Sequence, residues 1–479
     1  MRAIFLISVL SLIVFLQING EKIPVNDGAY GDGVFYRDVG RFFLENMEES
    51  GYNLVQLTRI LPFALLNLSF STFHIAKDNI GLQNGMIIWQ VIYLAIAIYW
   101  YFRITKKLRL KPTIITLGFI LLFGNFAWLK AIWYHPFSPD AMAFALGMGQ
   151  VNYFLRYEKF KLGMVSILGA FVSPLLLISG LLMLFLPGDK LPLHEGKRPK
   201  SLFPAAMALI IPLVFAVLGW TLGEWYQAGF LTQLFHIGAL LFIPVLIIYA
   251  AKQSSIDWDL ALVQLKKRTK SDRLSKGIMA LVGILLILIL LSGKNETLGL
   301  FSLIRESAEG MMRFPADFIL SNSLHWGLLG VLTLIYLYRF LQEMGKLGWS
   351  VVIIFGIGLL FSLFFKATTF AAWIPLWALV LVKAMKRYRW SLKDQIILGA
   401  MALFFSLAWL PLNSEALESY LAGGSSDLLS SWSVQKWAMH QNGLASFGSY
   451  ALMALAFGIF VLAFYWRKKR YLRQINGEI

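Results

Sequence analysis

The chain has 479 residues, no cysteine and a formal net charge of +17. Hydrophobic residues make up 58% and charged residues 14%, against roughly 45–50% and about 25% in an ordinary soluble domain. This composition excludes a conventional soluble enzyme, a disordered chain and a disulfide-built scaffold. The missing thiols exclude thiolate metal sites and thiol nucleophiles.

The apolar residues come in blocks of bilayer-crossing length, so the expected fold is an all-α polytopic membrane protein with about 12–14 membrane helices. Met1–Ile18 reads as an uncleaved first helix, because no small-x-small cleavage site follows it. Residues 19–80 form a long outer loop with eight Asp/Glu against five Lys/Arg. Within it, Leu54–Ala76 is apolar enough to span. Spanning would place the Arg103–Lys111 cluster on the wrong side, so a juxtamembrane or re-entrant helix over Gln56–Phe73 is expected. Further spans are expected near 81–102, 112–130 and 138–155. Leu162–Leu186, interrupted at Ser173-Pro174, reads as two short helices entering and leaving one face. Later spans are expected near 201–222, 229–250, 277–292, 319–340, 347–365, 369–383, 394–412 and 444–466.

The excess of Lys and Arg sits in alternate loops, so the positive-inside rule explains it better than a nucleic-acid partner does. The clusters are Arg103–Lys111, Arg156–Lys161, Asp189–Lys200, Lys252–Lys276, Arg339–Lys346, Lys383–Lys393 and Arg467–Arg473. Placing them in the cytoplasm puts both termini inside. The long basic loop 252–276 divides the chain into an N-terminal module, 1–251, and C-terminal helices, 277–479. The latter carry outer loops at 293–318 and 411–443.

The first outer loop contains Asn26-Asp27-Gly28-Ala29-Tyr30-Gly31-Asp32-Gly33-Val34-Phe35-Tyr36-Arg37-Asp38. Two Asp-Gly turns and a third glycine let the backbone fold tightly against a ligand. A carboxylate beside aromatics at a membrane interface suits a general base for a hydroxyl acceptor, or a ligand for a divalent cation. Asp is equally at home in simple Asx-turns.

The stretch Gly31-Asp32-Gly33-Val34-Phe35-Tyr36, followed by Tyr52 and then Thr58-Arg59-Ile60-Leu61-Pro62, resembles the polytopic GT-C glycosyltransferases. The resemblance is specific across about Asp27–Pro62 and is one of hydropathy beyond Leu186. It implies sugar transfer on the outer face of the membrane from a polyprenyl-phosphate-linked donor to a glycan, lipid or protein acceptor. Asp32 stands in the position of the family's catalytic first-loop carboxylate. Lys366-Ala367-Thr368-Thr369 replaces the Glu-Arg-aromatic segment that many members carry later in the chain.

Asp140, in the second outer loop Trp133–Asp140, is a second expected catalytic carboxylate. It also suits capping of the helix that follows. Asp32 and Asp140 could share a divalent cation such as Mg or Mn, which nothing in the sequence requires. Tyr36, Arg37, Arg59, His135 and Lys366 are the expected substrate-binding residues, with arginine suited to a donor phosphate. Lys130, Arg305 and Arg313 are further outer-face cations, and Trp128, Trp133 and Tyr134 are candidate sugar-stacking rings. Two alternatives share the membrane plan: a lipid-linked oligosaccharide polymerase or ligase, and a multi-pass transporter or flippase. The lack of cysteine leans towards a bacterial inner membrane.

Overall fold

The computed structural model describes residues 2–23, 26–49, 51–194, 201–221, 230–269, 271–292, 325–362 and 367–411, with a few isolated positions besides. Lys366, Arg305, Arg313, the outer segment 293–318, nearly all of 411–443 and the expected span 444–466 lie outside the described residues, apart from isolated positions. The described chain is all-α. It contains no strand, only isolated bridges at Tyr52–Ser292 and Leu193–Ile256.

The first helix, α1 (Arg2–Ile18), ends where Lys22 Nζ donates to Ile18 O at 2.7 Å and Gln17 O at 3.2 Å. The expected outer loop is itself mostly helical. It holds α2 (Asp32–Glu49), the single turn α3 (Leu54–Leu57) and α4 (Leu61–Thr72). Asp32 therefore opens a helix instead of sitting in a second Asp-Gly turn. The turn lies just upstream, where Asn26, Asp27, Gly28 and Gly31 take positive φ. A capping box on Asn53 starts α3, and Pro62 in the first turn starts α4.

With 12 residues, α4 is about 18 Å long, too short for a hydrocarbon layer about 30 Å thick. It packs under α2: Gly40 lies against Leu66, and Asn67 Nδ2 donates to Gly40 O at 3.1 Å and Arg41 O at 2.9 Å. Behind both runs α5 (Asn79–Lys107), where Gly85 admits Phe70 and Leu66. Among the described residues, α5 alone is a single helix long and apolar enough to cross a bilayer.

The helix α6 (Pro112–Phe123) bends by 57° into a π-helical turn, Ala127–Ala131, and the short α7 (Ile132–Tyr134). Asn125 sits in the break. Its Oδ1 accepts from Trp128 N at 3.1 Å and its Nδ2 donates to Leu122 O at 2.9 Å, covering backbone groups the bend releases.

The central element is α8 (Asp140–Arg156), which buries every residue from Ala141 to Asn152. A helix apolar on all sides belongs in an interior. Its glycines allow close neighbours: Gly147 meets the backbone of Ala372 and Gly149 meets the Trp100 ring. Next come α9 (Lys159–Ala170) and α10 (Pro174–Phe185), which turn at Phe171–Ser173. Gly169 faces Leu176, Ser166 faces Gly180 and Gly163 faces Leu184. The two helices therefore run antiparallel, as the Ser173-Pro174 break implies. Gln150 of α8 fastens the pair through Ser166 Oγ (3.0 Å), Leu176 O (2.6 Å) and Ser179 Oγ (2.7 Å).

Two long helices, α11 (Leu202–Thr221) and α12 (Phe230–Ser254), precede α13 (Trp258–Arg268) and α14 (Ser271–Leu291). The expected basic loop 252–276 is thus largely helical. Asp257 caps α13 through Leu260 N, and Trp258, Leu262 and Leu265 pack on a small core with Leu191 and Trp349. Of the expected span at 319–340, residues 319–321, 323 and 324 lie outside the described residues; the described part holds α15 (Leu328–Ile335) and the start of α16 (Leu337–Gly345), with a break at Tyr336. Then come α17 (Trp349–Ser362), a 3-10 turn at Ala367–Ala372, α18 (Ile374–Met385) and α19 (Leu392–Phe405). Val382 of α18 lies against Gly118 of α6, and Trp373 Nε1 donates to Leu175 O at 2.9 Å. Residues from both sides of 252–276 therefore line one core.

Candidate active site

Three segments far apart in sequence meet at the start of α2. The first is the α2 N-terminus, with Asp32, Gly33 and Tyr36. The second is the break between α3 and α4, which carries Arg59. The third is the loop into α8, with His135 and Asp140. Asp32 and Tyr36 are four residues apart on a helix, so they share a face.

Arg59 is the common partner. Its Nη1 lies 3.7 Å from Asp32 Oδ2. The Tyr36 phenol and the charges of Asp32 and Asp140 all act on it. Burial alone would lower the guanidinium's pKa. The Tyr36 hydroxyl and the two carboxylates outweigh burial and raise it, so the cation is held firmly. Burial pushes the Tyr36 phenol up, against the opposing pull of Arg59. The Tyr36 ring stacks on Phe63 of α4, with centroids 4.4 Å apart and planes 8° apart. The Asp32 side chain is 72% exposed and that of Arg59 32%. Asp32 thus stands open to solvent beside a partly covered cation.

His135 docks the second loop onto the first. Its Nε2 lies 3.2 Å from Tyr30 O, and a Cβ on Gly33 would come within 2.6 Å of the same atom. Gly33 is needed here for close approach, not for a turn. Gln90 also donates to Pro136 O, and Ile23 N donates to Tyr134 O at 3.3 Å. Asp140 is the first residue of α8, after Pro139 at the N-cap, so its carboxylate stands in the first turn, where negative charge suits the helix dipole.

Other expected site residues lie elsewhere. Arg37 Nη1 donates to Asn26 O at 2.6 Å, and its Nε lies 3.7 Å from Asp38, so it braces the turn before α2. Lys130 is buried in an ion pair with Glu21, 3.1 Å away. Trp128, Trp133 and Tyr134 are all buried, so none is a free face for a sugar. Lys366 falls outside the described residues. Phe63 and the docking role of Gly33 were not singled out in the sequence. The signal for Phe63 is its place after Pro62, in the first turn of the helix that Tyr36 packs against.

Among the described residues no group of three or more His, Asp or Glu is placed to hold a metal ion. The arrangement can accept a proton at Asp32 and present positive charge at Arg59. Comparison with protein-family models, with curated proteins and with solved structures gives no match.

Proposed function

We propose that this chain is a polytopic membrane glycosyltransferase of the GT-C kind, moving a sugar from a polyprenyl-phosphate donor to an acceptor hydroxyl on the extracytoplasmic face. The convergence of Asp32, Tyr36, Arg59 and Asp140 carries the reading. A site assembled from three segments, with an exposed carboxylate beside a fixed guanidinium, is what acceptor activation and phosphate departure both need.

Asp32 would accept the proton of the acceptor hydroxyl as its oxygen bonds to the sugar C1. The C1–O bond to the lipid phosphate breaks, and the bonding pair leaves with the phosphate. Arg59 would offset that negative charge in place. Tyr36 and Phe63 would hold the guanidinium where the charge develops. Asp140 would help fix Arg59 from the far side. Asp32 and Asp140 are also the carboxylates that would face a divalent cation such as Mg. Arg59 supplies positive charge there from the chain itself.

Support for a membrane setting comes from where polar and apolar groups lie. Ile4, Phe5, Leu12 and Phe15 on α1 are exposed, as are Leu202, Leu209 and Leu213 on α11 and Ile278, Met279 and Leu290 on α14. Gln90, Gln150, Asn152 and Glu343 are buried. Water-soluble monomers rarely show apolar patches on this scale. A bacterial inner membrane, with the termini in the cytoplasm, fits the charge pattern.

The test is sugar transfer by purified chain in mild detergent, with native mass spectrometry for bound lipid. Asp32→Asn is expected to abolish transfer while leaving the thermal transition unchanged. Full turnover in that variant would remove Asp32 from the mechanism. Polyprenyl phosphate should copurify, and repeated recovery with bulk phospholipid only would count against both the transferase and the ligase. Product mass separates the last two: one sugar added, or a whole glycan.

A further inference from the structure

Far from the Asp32 site along the chain, α16 and α18 are joined by an unbalanced charge cluster. Glu343 of α16 has a side chain only 7% exposed. Its Oε1 lies 2.6 Å from Lys346 Nζ and 3.1 Å from Arg387 Nη2, and its Oε2 lies 3.7 Å from Lys383 Nζ. Among the described residues Glu343 is the only ion-pair partner of Lys346, Lys383 and Arg387. Three cations thus gather about one carboxylate.

A cross-link between two helices needs one cation, or two. Each further one is partly desolvated and repelled by the rest, at a cost that a second anion would remove. The cations keep room for it: Arg387 is 49% exposed, Lys346 25% and Lys383 21%. The level is also informative. Tyr336, Tyr388 and Trp390 cluster beside the site, with ring centroids 4.8 and 6.2 Å from Tyr336, and Trp390 Nε1 donates to Met385 O at 3.1 Å. Tyr and Trp at the end of an apolar helix mark the headgroup level of a bilayer. The basic character places this end on the cytoplasmic side, whose leaflet offers anionic phosphodiesters.

We propose that Lys346, Lys383 and Arg387 form a binding site for the phosphodiester headgroup of an anionic lipid, built around Glu343. The proposal rests on the membrane setting above and is independent of the transferase reading. Sedimentation of the chain with membranes, before detergent is added, reports on that setting separately.

Native mass spectrometry of the full chain in mild detergent, with phosphatidylglycerol or phosphatidylcholine added, reads the site. Phosphatidylglycerol should be retained in preference to phosphatidylcholine. Lys383→Gln with Arg387→Gln should lower its retention about fivefold for each cation removed. Arg387→Gln alone, at a half-exposed residue, should give one such step even where the double variant fails to fold. Lys106→Gln with Lys107→Gln removes the same charge from the end of α5 and should change nothing. Glu343→Gln should raise retention, which a purely structural cross-link would not do. Equal retention of the two lipids, or undiminished retention in the single Arg387 variant, would overturn the site. Displacement by millimolar inorganic phosphate alone would overturn the lipid source and assign the site to soluble phosphate.

Discussion

Arg59 lies 3.7 Å from Asp32 and stands in reach of the Tyr36 phenol and the Asp140 charge, where a planar fork can serve more than one partner. Arg59→Lys keeps the charge and loses the fork, so transfer should fall about 100-fold in kcat. Tyr36→Phe keeps the ring on Phe63 and removes the hydroxyl, and should cost roughly tenfold. Steady-state transfer assays on folded variants check both, and wild-type kcat in Arg59→Lys would remove the fork from the mechanism. Lys22 offers a test by pH. Burial, then the charge of Lys130, lower it from 10.5 to about 8. Native Lys22 therefore loses its proton before the unfolded chain does. The unfolded state binds more protons between those two values, so stability rises with pH across that window. Thermal unfolding of wild type should show this gain, and Lys22→Gln should lack it; identical profiles would show that Lys22 contributes nothing. At this scale the sequence, with its resemblance, singled out Asp32, Tyr36, Arg59, His135 and Asp140, which the fold gathers around the start of α2. The contact of Arg37 with Asn26 was not legible, because its neighbours in sequence do not reveal that it points back to the turn.

Breaks in helices were more legible than their lengths. Ser173-Pro174 marks the α9–α10 turn, since proline disfavours helix at the residue before it and opens the next helix well. The break at Gly124-Asn125 carries no proline and depends on an Asn125 side chain that serves two backbone groups. Lys252–Lys276 read as a loop because its charges hide the apolar spacing of Trp258, Leu262 and Leu265, which only the tertiary contact with Trp349 makes decisive. The same tertiary logic governs α8. Its Gly147 faces the carbonyl of Ala372, a backbone group that cannot step aside as a side chain can. Gly147→Ala should therefore destabilise the fold by about 3 kcal/mol, although alanine is the better helix former. Thermal unfolding in detergent checks this. A stability equal to wild type would mean that α8 and the 3-10 turn are not in close contact.

At the scale of the whole molecule, the charge pattern and the apolar exterior make one joint claim. In the proposed topology the basic helix ends lie on one side of a bilayer and the Asp32 site on the other. The absence of cysteine makes this directly measurable, because a single introduced thiol has no background. The long α5 provides the ruler. Its 29 residues extend about 43 Å, more than the hydrocarbon thickness of about 30 Å. His74 lies just before its start, next to α4, and Lys107 closes its basic end; both are exposed. In intact cells a membrane-impermeant maleimide should label His74→Cys and not Lys107→Cys, and both should react after the membrane is opened. Labelling of Lys107→Cys from outside would invert the topology and place Asp32 and Arg59 in the cytoplasm, away from the face on which the proposed donor is used. Labelling of both in intact cells would mean that α5 does not span at all. The site geometry would stand in either case, but the proposed transfer reaction would not.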